Sequence, residues 1–326
     1  MKGQLDLRQF DFRKPDDSPT GRSGDKAASL HRDERSRKLR IRSAIAGIEN
    51  LPTLPNVVHE VIRLTNDPDT RAADFVSLFG NEQTLTARML RIANSAFYGM
   101  NGKINTISKA VVILGYKTLK SIVLASSSTV LFKHASEAYG FAENGLWLHS
   151  VSVAHLVSHL ARNWTGFSID VADEMFVVGL MHDIGKVLLC QELEKYRTEC
   201  IAYIRGRNPK NVSEMEKAIV GIDHCELGEI IIRKWKIGNE IADAIAHHHD
   251  TPTVSGENAR YQATLVLADL LCNESGIGLA DNCRWVRPIS ENLLASAQLD
   301  ESSLDAIREE AKIIFAESAE LIDTIA

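Results

Sequence analysis

The sequence predicts an all-α protein. Three observations carry that expectation. Apolar residues recur at three- and four-residue spacing through most of the chain after about residue 44. No stretch shows the sustained apolar/polar alternation of a half-buried strand. Proline and glycine, which punctuate helices, fall mainly between the periodic runs, as at Pro52, Pro55, Pro68, Gly99 and Gly102.

Residues 1–43 read as a charged, disordered tail. They lack aliphatic periodicity and include the Pro/Gly/Ser/Asp mixture PDDSPTGRSGDKAAS. The basic run HRDERSRKLRIR reads as a solvated lead-in to a helix, with contact to an acidic partner or membrane surface as the other reading. Residues 44–135 form the expected N-terminal lobe. NVVHEVIRLTND places Val57, Val58, Val61 and Ile62 on one helical face, and ADFVSLFGN does the same with Phe75, Leu78 and Phe79. TLTARMLRIANSAFYGM aligns Leu85, Met89, Ile92 and Ala93. In its NSAFYG turn, Asn94 and Ser95 are expected to bond neighbouring backbone while Phe97 and Tyr98 pack. ISKAVVILGYKTLKSIVLAS resumes the helical period through Ile107, Val111 and Leu114 and is broken at Gly115.

Residues 136–326 form the expected second lobe. Asn144 suits the N-cap of a helix outlined by Trp147, Val151, Ala154 and Leu160. Further helical stretches follow, among them SIDVADEMFVVGLMHDIGKVLLCQEL, CELGEIIIRKWKI, NEIADAIAHHH and ARYQATLVLADLLCNES. An acidic amphipathic helix, or a pair, closes the chain.

Composition limits the function classes. The net charge is −6, yet residues 1–42 carry twelve Lys/Arg against seven Asp/Glu, so the remaining body is strongly acidic. Nucleic acid is therefore not an expected partner. There is no long uncharged apolar run and no apolar leader near the start, so membrane insertion is not expected. Five cysteines with no CxxC pair fit a reducing cytoplasm better than a disulfide framework.

Histidine placement is the unusual feature, because eight of the eleven lie between residues 149 and 249. His182 and Asp183 fall inside the greasy run VVGLMHDIGKVLL, read as mid-helix, and Asp269 falls inside ATLVLADLL. Burying an unpaired carboxylate costs several kcal/mol. A divalent cation offsets that cost, and mixed imidazole and carboxylate donors suit Fe, Mn, Zn, Ni or Co. Adjacent residues on one helix point about 100° apart, so either His182 and Asp183 each serve a different ion or Asp183 bridges two. Lys186, about one turn on, is placed to hold a substrate phosphate or steady a hydroxide, and Gly185 leaves room for a ligand or a close helix. The competing readings are bland. His155 and His159 fit helix packing, His134 fits an exposed position, and His248 and His249 alone would pass for caps at a helix C-terminus.

The order His149, His182-Asp183, Asp269 resembles the HD superfamily of metal-dependent phosphohydrolases. LPTLPNVVHEVIRL, TLTARMLRIANSAFYG, INTISKAVVILGYKTLKSIVLA, GLMHDIGKVLL and AHHHDTP together resemble the HDOD family, the HD-related output domain, over roughly residues 44–315. That resemblance implies a bacterial, two-lobed, all-helical signalling protein. His224, His248 and His249 are similar to second-metal ligands of the related HD-GYP phosphodiesterases. It implies one cation on His149, His182, Asp183 and Asp269, and a second on Asp183, His224, His248 and His249. Two departures bear on activity. Gly145 stands where HD-GYP proteins have a glutamate, and HHDTPTVSGENARY replaces their GYP loop. Two readings follow. One is a signalling module that binds a protein partner. The other is a phosphohydrolase of a nucleotide or cyclic dinucleotide, with Asp183 and Lys186 in catalytic roles.

Overall fold

The computed structural model describes residues 38–47, 56–79, 82–95, 102–132, 139, 141–207, 212–252, 256–279 and 287–325. Among them every regular element is a helix, and the one β-bridge, Phe141 to Leu279, is isolated. In chain order the helices are α1 (residues 38–47), α2 (Asn56–Asn66), α3 (Ala72–Phe79), α4 (Gln83–Ala93) and α5 (Ile107–Phe132). Then come α6 (Gly145–Asn163), α7 (Ile169–Met181), α8 (Ile184–Glu194), α9 (Arg197–Arg207) and α10 (Val212–Ile219). The last are α11 (His224–Trp235), α12 (Asn239–Ala246), α13 (Glu257–Glu274), α14 (Glu291–Ser296) and α15 (Glu301–Ile325). The closing acidic stretch is thus one helix.

Helices α2, α3 and α4 pack on α5. Val57, Val58, Val61, Ile62, Phe75, Phe79, Met89, Ile92 and Ala93 are buried, as their spacing predicts. Asn94 ends α4 as a backbone clamp: its Nδ2 donates to the carbonyls of Leu90 (2.8 Å) and Ile104, and its Oδ1 accepts from Ile104 N (3.0 Å). Ser95 departs from expectation, since its buried hydroxyl meets no partner. Phe97, Tyr98, Gly99 and His134 lie outside the described residues. Gly115 adopts φ 81° and ψ 170°, a conformation β-carbons disfavour, and it breaks α5 where expected. Residues Ile107–Ser127 of α5 have the length and mean hydropathy (1.3) of a membrane span, but 56% of that window is buried within the protein, as in a core helix.

Helix α6 is the central rod. It packs along α7 and against α13 and α15. Asn144 precedes it with φ 58° and makes no side-chain cap, so the expected N-cap bond does not form. Ser168 does cap α7, and Asp223 with Glu226 forms a capping box on α11. His155 Nδ1 meets Ser318 Oγ at 2.7 Å and His159 Nε2 meets Glu310 Oε2 at 2.8 Å, so both histidines join α6 to α15. Buried Asp173 of α7 accepts hydrogen bonds from Thr118 of α5 and Arg162 of α6, and its carbonyl accepts from Ser121. Helix α1 begins before the tail boundary drawn at residue 43 and bonds α8 through Ser43 Oγ to Glu192 Oε1 (2.7 Å).

Candidate metal centre

The apolar run around His182 and Asp183 is not one helix. Helix α7 ends at Met181, with His182 as its C-cap, and α8 begins at Ile184, with Asp183 in the N-cap position. The mid-helix expectation is therefore corrected. The break has a local cause: His182 Nδ1 donates to Gly179 O (2.7 Å), a carbonyl at the helix end that lacks its next backbone donor. His248 repeats the device beyond the end of α12, donating from Nδ1 to Ile245 O at 2.7 Å. One end of each imidazole thus caps a carbonyl and leaves the other free to act as a donor atom. The bond at Nδ1 fixes the tautomer and turns a lone pair on Nε2 inward.

Seven side chains from five stretches of the chain meet in one cluster, six of them buried and His249 part-buried. On one side His149 Nε2 of α6 lies 3.2 Å from Asp269 Oδ1 of α13 and 3.7 Å from Asp183 Oδ2. His182 Nε2 lies 3.4 Å from Asp183 Oδ2 and 3.7 Å from Asp269 Oδ1. On the other side Asp183 Oδ1 faces His224 Nε2 (3.4 Å) and His248 Nε2 (3.6 Å). His224 Nε2 is 3.2 Å from His248 Nε2 and 3.0 Å from His249 Nε2. The two oxygens of Asp183 thus face different imidazole sets. Every residue expected as a ligand, namely His149, His182, Asp183, His224, His248, His249 and Asp269, lies in this cluster. Gly185 permits the convergence. A β-carbon there would sit 1.9 Å from His224 O, so α8 and α11 cross in direct backbone contact. Position 145 is glycine and offers no donor.

The donor set fits cations by its own chemistry. His182 Nε2 and Asp183 Oδ1 are buried without a hydrogen-bond partner. Imidazole lone pairs about 3 Å apart repel unless a proton or a cation lies between them. Burial disfavours charge on His182, but Asp183 and Asp269 outweigh it and push the imidazole up to about 10. Asp183 is held well below the usual carboxylate range, against burial, by His182 and Lys186. Asp269 is likewise held low, against burial, by His149 and His182. Burial pulls His248 down, and it pulls His249 well down with help from the neighbouring imidazoles. The two carboxylates thus demand positive charge, and a divalent cation supplies it with lone pairs already aimed at it.

Several functional side chains carried no sequence signal. Buried Glu216 of α10 accepts from His224 N (2.9 Å) and Nδ1 (2.6 Å), and its other oxygen accepts from Tyr139 (2.7 Å). This is a carboxylate–histidine support of the kind that orients metal ligands. Asn273 Nδ2 donates to Asp269 Oδ1 at 2.8 Å. Cys225 Sγ lies 3.6 Å from His224 Nε2. Lys186 Nζ lies 2.6 Å from Asp183 Oδ2, over the rings of Phe141 (5.5 Å) and Tyr139 (5.7 Å). Its pKa is raised, because Asp183 and Asp269 outweigh burial. A cavity of about 30 Å³ reaches the cluster between Tyr139, Phe141, Lys186, His249, Asp269 and Arg287. Arg287 Nη1 donates to His249 O (2.7 Å). Among the described residues Cys190, Cys200, Cys225 and Cys272 are buried and form no disulfide.

Known proteins agree with this architecture. A curated protein of Treponema pallidum (strain Nichols), described as uncharacterized, is 25% identical over 224 residues, covering 68% of this chain. The chain spans only 42% of that relative's length. The crystal structure of an HDOD domain protein with unknown function from Geobacter sulfurreducens superposes with a TM-score of 0.68 at 26% identity, covering 88% of this chain and 98% of that one. A structure from Marinobacter aquaeolei VT8, described as a candidate signal transduction protein, has a TM-score of 0.65 at 19% identity, covering 89% of this chain and 65% of that one. The family model for the HDOD domain matches residues 51–251, and with the helical architecture this makes the chain a member of the HDOD family.

Proposed function

We propose that this chain is a regulatory HDOD protein that holds two divalent cations and acts mainly by contact with a signalling protein partner, in the cytoplasm. The observation that carries the reading is the contrast between donors and access. Six buried side chains and the part-buried His249 converge, yet the cavity that reaches them is small, about 30 Å³. Tyr139, Phe141 and Arg287 line that cavity, so a ligand as large as a nucleotide meets these side chains first. A structural or sensory cation needs no such room. When bound, it supplies positive charge to Asp183 and Asp269 and Lewis acidity toward any ligand oxygen. His182, His248 and His224 hold their lone pairs inward through bonds at Nδ1.

One feature favours a second reading, a phosphohydrolase of a nucleotide or cyclic dinucleotide. Lys186 and Arg287 share a cavity wall with Asp269 and His249, where phosphate oxygens would meet two cationic side chains. There Lys186 orients a phosphate and Asp183 aligns the reacting groups. Elemental analysis of freshly purified protein, a panel of phosphodiester and nucleotide substrates, and partner capture by the intact chain separate the two. Metal without turnover, together with a captured partner, supports the regulatory reading. Turnover abolished by Lys186→Met supports the enzyme. Protein free of stoichiometric metal removes both.

A further inference from the structure

We propose that Cys225 is a thiolate ligand of the second cation, giving that site a mixed nitrogen–sulfur character that selects zinc over manganese or magnesium. The proposal rests on the metal reading above and goes beyond it in donor set and in ion. One ligand atom from each of His224, Cys225, His248 and His249 falls within 4.8 Å of all the others. Three edges of that polyhedron are given directly: Cys225 Sγ to His224 Nε2 is 3.6 Å, His248 Nε2 to His224 Nε2 is 3.2 Å, and His249 Nε2 to His224 Nε2 is 3.0 Å. Zinc bonds nitrogen at about 2.0–2.1 Å and thiolate at about 2.3 Å, so a tetrahedron has edges of roughly 3.4 Å between nitrogens and roughly 3.6 Å from nitrogen to sulfur. The sulfur edge matches, the nitrogen edges lie within a few tenths of an ångström, and Asp183 Oδ1, 3.4 Å from His224 Nε2 and 3.6 Å from His248 Nε2, stands beside this set as a fifth donor.

Burial and the carboxylates of Asp223, Glu216 and Asp183 push the Cys225 thiol up, so the sulfur gives up its proton to a bound cation rather than beforehand; the helix end and Ser213 act in the opposite direction. Cys225 is the second residue of α11, where unsatisfied N–H groups and the helix dipole favour negative charge. Ser213 Oγ lies 3.7 Å from the sulfur and can donate to it. Thiolate is a soft donor that prefers zinc to the oxygen-seeking manganese and magnesium ions. Binding transfers the thiol proton to solvent and leaves the sulfur lone pair on the metal, so no redox partner is needed. The adjacent set, His149, His182, Asp183 and Asp269, contains no sulfur, so the two cations differ in chemistry.

The test uses the full-length protein reconstituted with cobalt(II) and, separately, zinc. Cobalt in the cluster gives visible ligand-field bands, and cobalt bound to thiolate adds a near-ultraviolet charge-transfer band. The expected result is both features in the wild type, with the charge-transfer band absent from Cys225→Ala and the visible bands retained. Visible bands without charge transfer in the wild type, or a charge-transfer band that survives Cys225→Ala, overturn the thiolate ligand and leave the metal reading standing. No cobalt uptake overturns both. If Cys225→Ala does not fold, X-ray absorption of the zinc-loaded wild type decides: a sulfur neighbour at about 2.3 Å supports the proposal, and its absence ends it.

Discussion

Replacing Asp183 by alanine separates the two jobs of that carboxylate. Its oxygens face both imidazole sets, and Oδ2 also neutralises Lys186 Nζ at 2.6 Å in a buried site. At an effective dielectric constant of about 20 the gross attraction is roughly 6 kcal/mol. Measured losses on breaking a buried pair run at about 3–5 kcal/mol. Lysine neutralisation sets a ceiling, because losing a proton with pKa 10.5 at pH 7.5 costs about 4 kcal/mol. The expected loss in chelator-treated Asp183→Ala is therefore about 3–4 kcal/mol, or a melting temperature lower by roughly 4–7 °C. His182 adds less, since it keeps Asp269 Oδ1 at 3.7 Å as a counter-charge. The double variant Asp183→Ala/Lys186→Met removes the stranded ammonium and should recover most of that stability while still failing to bind metal. The assays are thermal unfolding with and without chelator, and elemental analysis of both variants. Metal content unchanged in Asp183→Ala would falsify the bridging role. A double variant no more stable than the single would show that Lys186 is not the source of the loss.

Other outcomes follow from particular contacts. Glu216→Gln should weaken the second cation's binding by about 10–100-fold, because the amide no longer fixes His224 by charge, while the first cation stays bound; metal titration reads the difference. Gly185→Ala places a methyl 1.9 Å from His224 O and should cost at least about 1–3 kcal/mol by forcing α8 from α11; a melting temperature equal to wild type would contradict the close crossing. Burial holds His155 down at about 3, against 6.5 when exposed, so the folded state resists protonation that the unfolded chain accepts. Its stabilising contribution is complete above pH 6.5 and is lost as pH falls toward 3, about 2 kcal/mol of it by pH 5. In chelator-treated protein, His155→Gln should therefore flatten the stability loss between pH 6.5 and 5 by about that amount, as read from urea unfolding at each pH.

The sequence by itself determined the helical architecture and the candidate ligands that the fold brings together. Helices declare themselves through a period of 3.6, and Val57, Val58, Val61 and Ile62 need no distant neighbour to show which face is buried. His149, His182, Asp183 and Asp269 were legible because charged or imidazole groups in greasy runs demand a partner. Only the tertiary structure decided the rest. The break between His182 and Asp183 depends on a side chain replacing a backbone donor at Gly179, which periodicity does not register. Glu216, Cys225, Tyr139 and Arg287 sit in ordinary polar or mixed stretches, and their roles arise from contacts across α10, α11 and the loops beside α6 and α14. Local pattern records which side of a helix avoids water. Which side chains meet there is set by how helices far apart in the chain cross, as α8 and α11 do over Gly185.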